Sequence, residues 1–128
     1  MREICKLKSM PAPKFRYQSM IKAGPFYYTA GMIGLDEEGA LIQGGVQAQA
    51  EKILKDLGNA LEELDMTKEH LLSAKIYMAD MAEFGEVNKV WETFFPLGQE
   101  EPPVRTSIGV AALPLSARVE MEFVLYRP

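Results

Sequence analysis

The sequence predicts an α+β domain, and three observations carry that prediction. Its last quarter alternates strictly between apolar and polar residues. Two stretches, from Val46 to Leu64 and from Phe84 to Phe95, repeat apolar side chains at steps of three and four. Strand-like runs lie before, between and after those stretches, so helices and strands are interspersed without the regular alternation of a doubly wound fold.

Taken in order, residues 2 to 8 allow an extra edge strand, and a first clear strand is expected near Tyr17 to Lys22. Phe26 to Ile33 is rich in aromatic and β-favouring residues and is bounded by Gly24-Pro25 and Gly34, so it reads as the next strand. Turn residues Asp36 to Gly39 lead through Gly44-Gly45 into the first helix. There Val46, Ala50, Ile53, Leu54, Leu57, Leu61 and Leu64 form one face, and charged residues fall elsewhere. Gly58 inside this helix costs up to about 1 kcal/mol relative to Ala, which suggests a close approach of another element.

Leu71 to Met78 reads as a buried strand. Asp80-Met-Ala-Glu83 has capping-box spacing ahead of the second helix, whose Phe84, Trp91, Phe94 and Phe95 read as core. Pro96 and Pro102-Pro103 bracket an acidic loop. Two final strands follow, read as a pair joined by the Ala111 to Ala117 turn. Val104, Ile108, Val110, Val119, Met121 and Phe123 would pack under the helices, and Arg105, Ser107, Arg118, Glu120 and Glu122 would share the outer face. In that pairing Arg105 and Ser107 lie across from Glu120 and Glu122.

At 128 residues the chain has the length of one domain, and residues 1–128 are read as such. A formal charge of −4, from 14 basic and 18 acidic residues, argues against a phosphate-binding surface and so against nucleic acid as the main partner. The single cysteine, Cys5, cannot close an internal disulfide, and no Cys/His spacing resembles a zinc site. With no signal-like or membrane-spanning run, a cytoplasmic protein without metal is expected.

Several motifs then combine. Tyr17, the Tyr28-Thr-Ala-Gly-Met-Ile-Gly34 run, Gly44-Gly45 with Gln49, and Ile76-Tyr-Met-Ala-Asp-Met81 come first. Phe84 with Val87-Asn88, Phe94-Phe95, Pro103-Val-Arg105, Leu113-Pro114 and Val119-Glu120-Met121 follow in order. Over nearly its whole length the chain resembles the RidA/YjgF proteins, the reactive-intermediate deaminases once labelled L-PSP endoribonucleases or translation inhibitors. The resemblance implies a chorismate-mutase-like fold with both helices on one face of a mixed sheet. It also implies a homotrimer built around a central barrel, with clefts between subunits. Members of this family hydrolyse 2-imino acids such as 2-iminobutanoate and 2-iminopropanoate to 2-keto acids and ammonia without a cofactor.

In that light Arg105 would clamp the substrate carboxylate through paired charge-assisted hydrogen bonds, and Glu120 would orient or deprotonate the attacking water. Tyr17, Ala30, Gly31 and Ser107 would line the substrate site. Three departures bear on substrate choice. Ala30 stands where the typical deaminase has a serine, Phe15-Arg16 replaces the usual Gly-Pro before the tyrosine, and Thr106 follows the arginine where a smaller residue is commoner. Ser107 takes the place of a cysteine and has no base beside it in the sequence to make it a nucleophile. For Arg105 and Glu120 the alternative is a purely structural role in ion pairing. For the whole protein the alternatives are a module that binds small carboxylates or keto acids, and a ribonuclease.

Overall fold

A computed structural model describes residues 1–128. Six strands form one sheet: β1 (Arg2–Ile4), β2 (Met20–Ala23), β3 (Phe26–Thr29), β4 (Leu71–Met78), β5 (Val104–Gly109) and β6 (Val119–Tyr126). Helices α1 (Gly45–Glu63) and α2 (Phe84–Phe94) pack on each other and on one face of it. The spatial order is β1-β2-β3-β6-β4-β5, with every neighbouring pair antiparallel except β4 and β5.

The core follows from the periodicities. Ile53, Leu54, Leu57 and Leu61 of α1 and Val87 and Trp91 of α2 cover Ala74, Ile76 and Met78 of β4 and Val119, Met121, Phe123 and Leu125 of β6, all nearly inaccessible to water. The methionines Met20, Met32, Met66, Met78 and Met121 fill gaps in that layer. No helix is long and apolar enough to cross a membrane.

Two buried polar side chains fasten the layers. Gln49 on α1 accepts the Arg118 backbone N–H at 2.8 Å, which fixes the start of β6. Thr29 accepts the Phe123 N–H at 3.0 Å where β3 ends. Gly34 lets α1 approach, because a Cβ there would lie 2.9 Å from the Gln49 backbone.

Four expectations are corrected. The largest concerns the last two strands, which are not a hairpin. β4 lies between them, and β5 runs parallel to β4, with Arg105 opposite Ala74 and Ser107 opposite Ile76. The cause is α2: a strand followed by a crossover helix returns parallel to its predecessor, whereas a hairpin needs only a short loop. As a result Arg105 and Ser107 point to the helix side with Ala74 and Ile76, and Val104 and Ile108 stand on the open face with Glu120 and Glu122.

Tyr17 precedes the strand rather than lying in it; its N–H bonds the Phe15 carbonyl at 3.0 Å, which bends the chain before β2 begins at Met20. Asp80 does cap, accepting the Ala82 N–H, but the turn it caps is a short 3-10 segment, and Glu83 turns to Arg118 instead of completing the box. Gly58 faces the Phe94 ring, yet an added Cβ would meet it at 3.6 Å, an ordinary contact, so no unusually close approach requires glycine there.

Candidate functional site

Glu120 lies on the open face of β6, half-buried, beside a cleft of about 370 Å³. The cleft forms because the bend at Phe15 to Tyr17 and the segment Ala30 to Leu35 after β3 stand apart, with the Pro114–Ser116 turn at one side. Tyr17, Ala30, Gly31 and Glu120, four of the six residues expected at the site, line this one cavity. Gly31 is needed for a specific reason. A Cβ there would fall 2.1 Å from a carboxylate oxygen of Glu120, so only glycine leaves the carboxylate where it is.

Burial holds the Glu120 carboxyl above its ordinary range, and the neighbouring Glu122 carboxylate pushes the same way. Glu122 itself accepts a hydrogen bond from the Tyr77 hydroxyl. That bond is the main cause that pushes the tyrosine up to about 12, and it therefore keeps its proton at any ordinary pH. Glu122 thus has Tyr77 as its partner and not Arg118, whose guanidinium donates to Glu83 at 2.7 and 2.9 Å.

The other two residues lie elsewhere. Arg105 is on the edge strand, on the opposite face of the sheet from Glu120 and two strand spacings away, roughly 10 Å sideways. Its guanidinium sits over the rings of Trp91, at 5.1 Å, and Phe84, at 5.6 Å, with no hydrogen bond or ion pair to any group of the chain. Burial lowers its affinity for the proton, and the more distant Glu92 charge works against that shift. The nearby hydroxyl of Ser107 is also buried and unpartnered. Within the chain Arg105 pairs with neither Glu120 nor Glu122, which lie on the opposite face of the sheet.

Sequence reasoning missed the aromatic seat of Arg105. The spacing of Phe84 and Trp91 predicts core alone, yet the Arg105 guanidinium lies over both rings. It also missed Leu115 in the cleft wall. Its signal would have been backbone strain in the turn, visible only in three dimensions, since Leu115 and Ser116 both have positive φ.

Comparison with known proteins agrees with this architecture. The family model described as Endoribonuclease L-PSP matches residues 7–126. A RutC family protein of Aquifex aeolicus is 33% identical over 124 residues, covering 97% of this chain and 98% of that protein. A mouse protein named 2-iminobutanoate/2-iminopropanoate deaminase is 33% identical, over 96% of this chain and 90% of its own. Among solved structures, yeast Mmf1 superposes with a TM-score of 0.89 at 27% identity over the full length of both chains. A Rid-family protein of Yersinia pestis gives 0.91 at 23% identity, a likeness of fold. A family match across almost the whole chain, relatives alike from end to end and a shared fold have one meaning: the chain belongs to the endoribonuclease L-PSP family, the RidA/YjgF proteins.

Proposed function

We propose that the protein hydrolyses reactive 2-imino acids to 2-keto acids and ammonia, in clefts formed between copies of the chain in a homotrimer. The observation that carries this reading is a complementarity. The Glu120 cleft contains a carboxylate and no guanidinium, its one cation being Lys14, which donates to the Gly39 carbonyl, while Arg105 and Ser107 are a cation and a hydroxyl with no partner. Arg105 from one copy, set against the Glu120 cleft of the next, would supply the clamp the cleft lacks. The open face, where Val104 is 73% and Tyr28 51% exposed, offers apolar surface for such packing.

In the composite site the guanidinium holds the substrate carboxylate by two parallel hydrogen bonds, its aromatic seat keeping it flat and poorly hydrated. Ser107 donates its free hydroxyl to the same end. Glu120, raised above the usual carboxylate range, takes a proton from water as the oxygen attacks the protonated imine carbon. The resulting tetrahedral adduct carries hydroxyl and amine on one carbon. Glu120 returns the proton to the nitrogen, then takes the hydroxyl proton as the C–N bond breaks, and ketone and ammonia leave. The iminium is already electrophilic, so placement of water and substrate supplies most of the acceleration.

The name of the mouse relative supports this substrate class. RNA cleavage has less support, since the only histidine, His70, spends its Nδ1 accepting the Thr67 N–H in a turn before β4. Keto-acid binding without turnover is the second reading, favoured by the methyl of Ala30 in the cleft.

The test is the decay of freshly generated 2-iminopropanoate and 2-iminobutanoate with wild type and with Arg105→Ala. Faster decay with wild type and decay at the buffer rate with the variant are expected. Wild type no faster than buffer, with keto acid still bound, would transfer the assignment to the binding reading.

A further inference from the structure

The walls of the Glu120 cleft carry information about the substrate's side chain. Phe15, Leu115, Met32, Ile33, Ala30 and Met10 supply most of its apolar lining. Of its other polar side chains, Lys14 Nζ donates one hydrogen bond to the Gly39 carbonyl at 2.5 Å, and Ser19 Oγ donates to the Pro11 carbonyl at 3.2 Å. The Glu120 carboxylate and the Tyr17 hydroxyl have no hydrogen-bond partner within the chain. Those two serve the reacting end of an imino acid, and the rest of the cleft is mainly apolar.

The volume and the rim agree with that division. About 370 Å³ lies within the range of about 300–1,000 Å³ that accommodates drug-sized ligands, and the methyl or ethyl group of a small imino acid would leave most of it to water. In the single chain Phe15 is 80% exposed and Leu115 51%, so both side chains at the rim have apolar area to bury. Leu115 is held there by a strained backbone, with φ of 56° in the Pro114–Ser116 turn followed by Ser116 at 59°. A non-glycine residue persists in that region only where its surroundings over-determine it, and such sites cluster at ligand clamps.

We infer that the preferred substrates are 2-imino acids with bulky apolar side chains, branched aliphatic, thioether or aromatic, and that Phe15 and Leu115 set this preference. This rests on the deaminase reading above. The reaction is unchanged, one water added and one ammonia released; the side chain decides only how well the substrate is held. Each methylene buried against the wall should raise kcat/KM about fourfold.

The test compares the imines of alanine, 2-aminobutyrate, leucine, methionine and phenylalanine. Each is generated in place by a flavin amino-acid oxidase and scored as acceleration of keto-acid release over buffer. The leucine and methionine imines are expected to exceed the alanine imine by at least ~10-fold in kcat/KM. The doubly substituted Phe15→Gly, Leu115→Lys protein should bring that ratio close to parity. Both positions are exposed, so folding should survive, and an unchanged melting temperature verifies it. A flat ratio in wild type, a preference for the alanine imine, or a ratio that survives the double substitution would overturn the inference and leave the deaminase reading standing. No acceleration with any imine would overturn both.

Discussion

The Glu120 cleft and the Arg105 edge are built on opposite principles. In the cleft an acid is half-buried among apolar walls, and its neighbours, Glu122 and burial, both disfavour its charge. At the edge a base lies on two aromatic rings, and burial likewise disfavours its charge. Each half would be stabilised by what the other has. A desolvated ion with no partner costs free energy, and both halves carry that cost in the same chain. The difference bears directly on the proposed function: the sheet of one chain holds its acid and its base apart, so a site that uses both would have to be completed by packing of copies.

The strongest way to break that comparison is to separate the halves genetically. Arg105→Ala and Glu120→Ala proteins should each lose at least ~30-fold in kcat/KM, the lower end of what truncating one partner of a buried charged contact costs. Mixed assemblies, made by co-expression or by refolding the two variants together, should recover activity, with about one site in four complete at equal amounts. A site confined to one chain would never be completed by mixing. Mixed assemblies as inactive as either variant would therefore show that Arg105 and Glu120 do not meet across subunits.

Much of this molecule was legible in the sequence, and the part that was not has a physical explanation. Leu71–Met78 and Gly45–Glu63 are read within a residue because long, clean periodicities leave one solution. The Tyr17, Ala30, Gly31, Glu120 grouping was legible through the family resemblance. The face of Arg105 was not legible from alternation. Val104-Arg105-Thr106-Ser107-Ile108 alternates as well as Val119 to Phe123 does, but period two says only that two faces differ and not which face is buried. On an edge strand the choice belongs to the neighbour: Trp91 and Phe84 offer aromatic rings that suit a guanidinium better than valine. A crossover helix before β5 and a nine-residue interval before β6 were the available signals, both pointing away from a hairpin.

A sharper test acts on the cleft alone. Gly31→Ala places a methyl against the Glu120 carboxylate, the movable end of a side chain and not backbone. The carboxylate should swing away, so kcat should fall by about 10²-fold, the lower range for displacing a general base, while the melting temperature stays near wild type. A large loss of stability with activity retained per folded molecule would mean that Gly31 serves packing and not the site.

The smallest expected effect separates the acid's two perturbing causes. If Glu120 must be ionised to act, activity falls as pH falls through its raised pKa, so the acid limb should lie above the ordinary value of 4.5. Glu122→Gln removes the weaker cause and keeps an acceptor for the Tyr77 hydroxyl, so the limb should move down but not reach that value, since burial remains. Stability carries the opposite sign. A carboxyl whose folded pKa is raised stabilises the fold below its unfolded pKa, and that contribution is lost as pH rises through the folded one. Glu120→Gln should therefore raise the melting temperature at neutral pH and leave it unchanged below about pH 4, where wild type is already protonated. An enzyme made more stable and less active by one substitution would place Glu120 among residues kept for chemistry against the interest of the fold, and a variant less stable at neutral pH would place its carboxylate in a favourable contact instead.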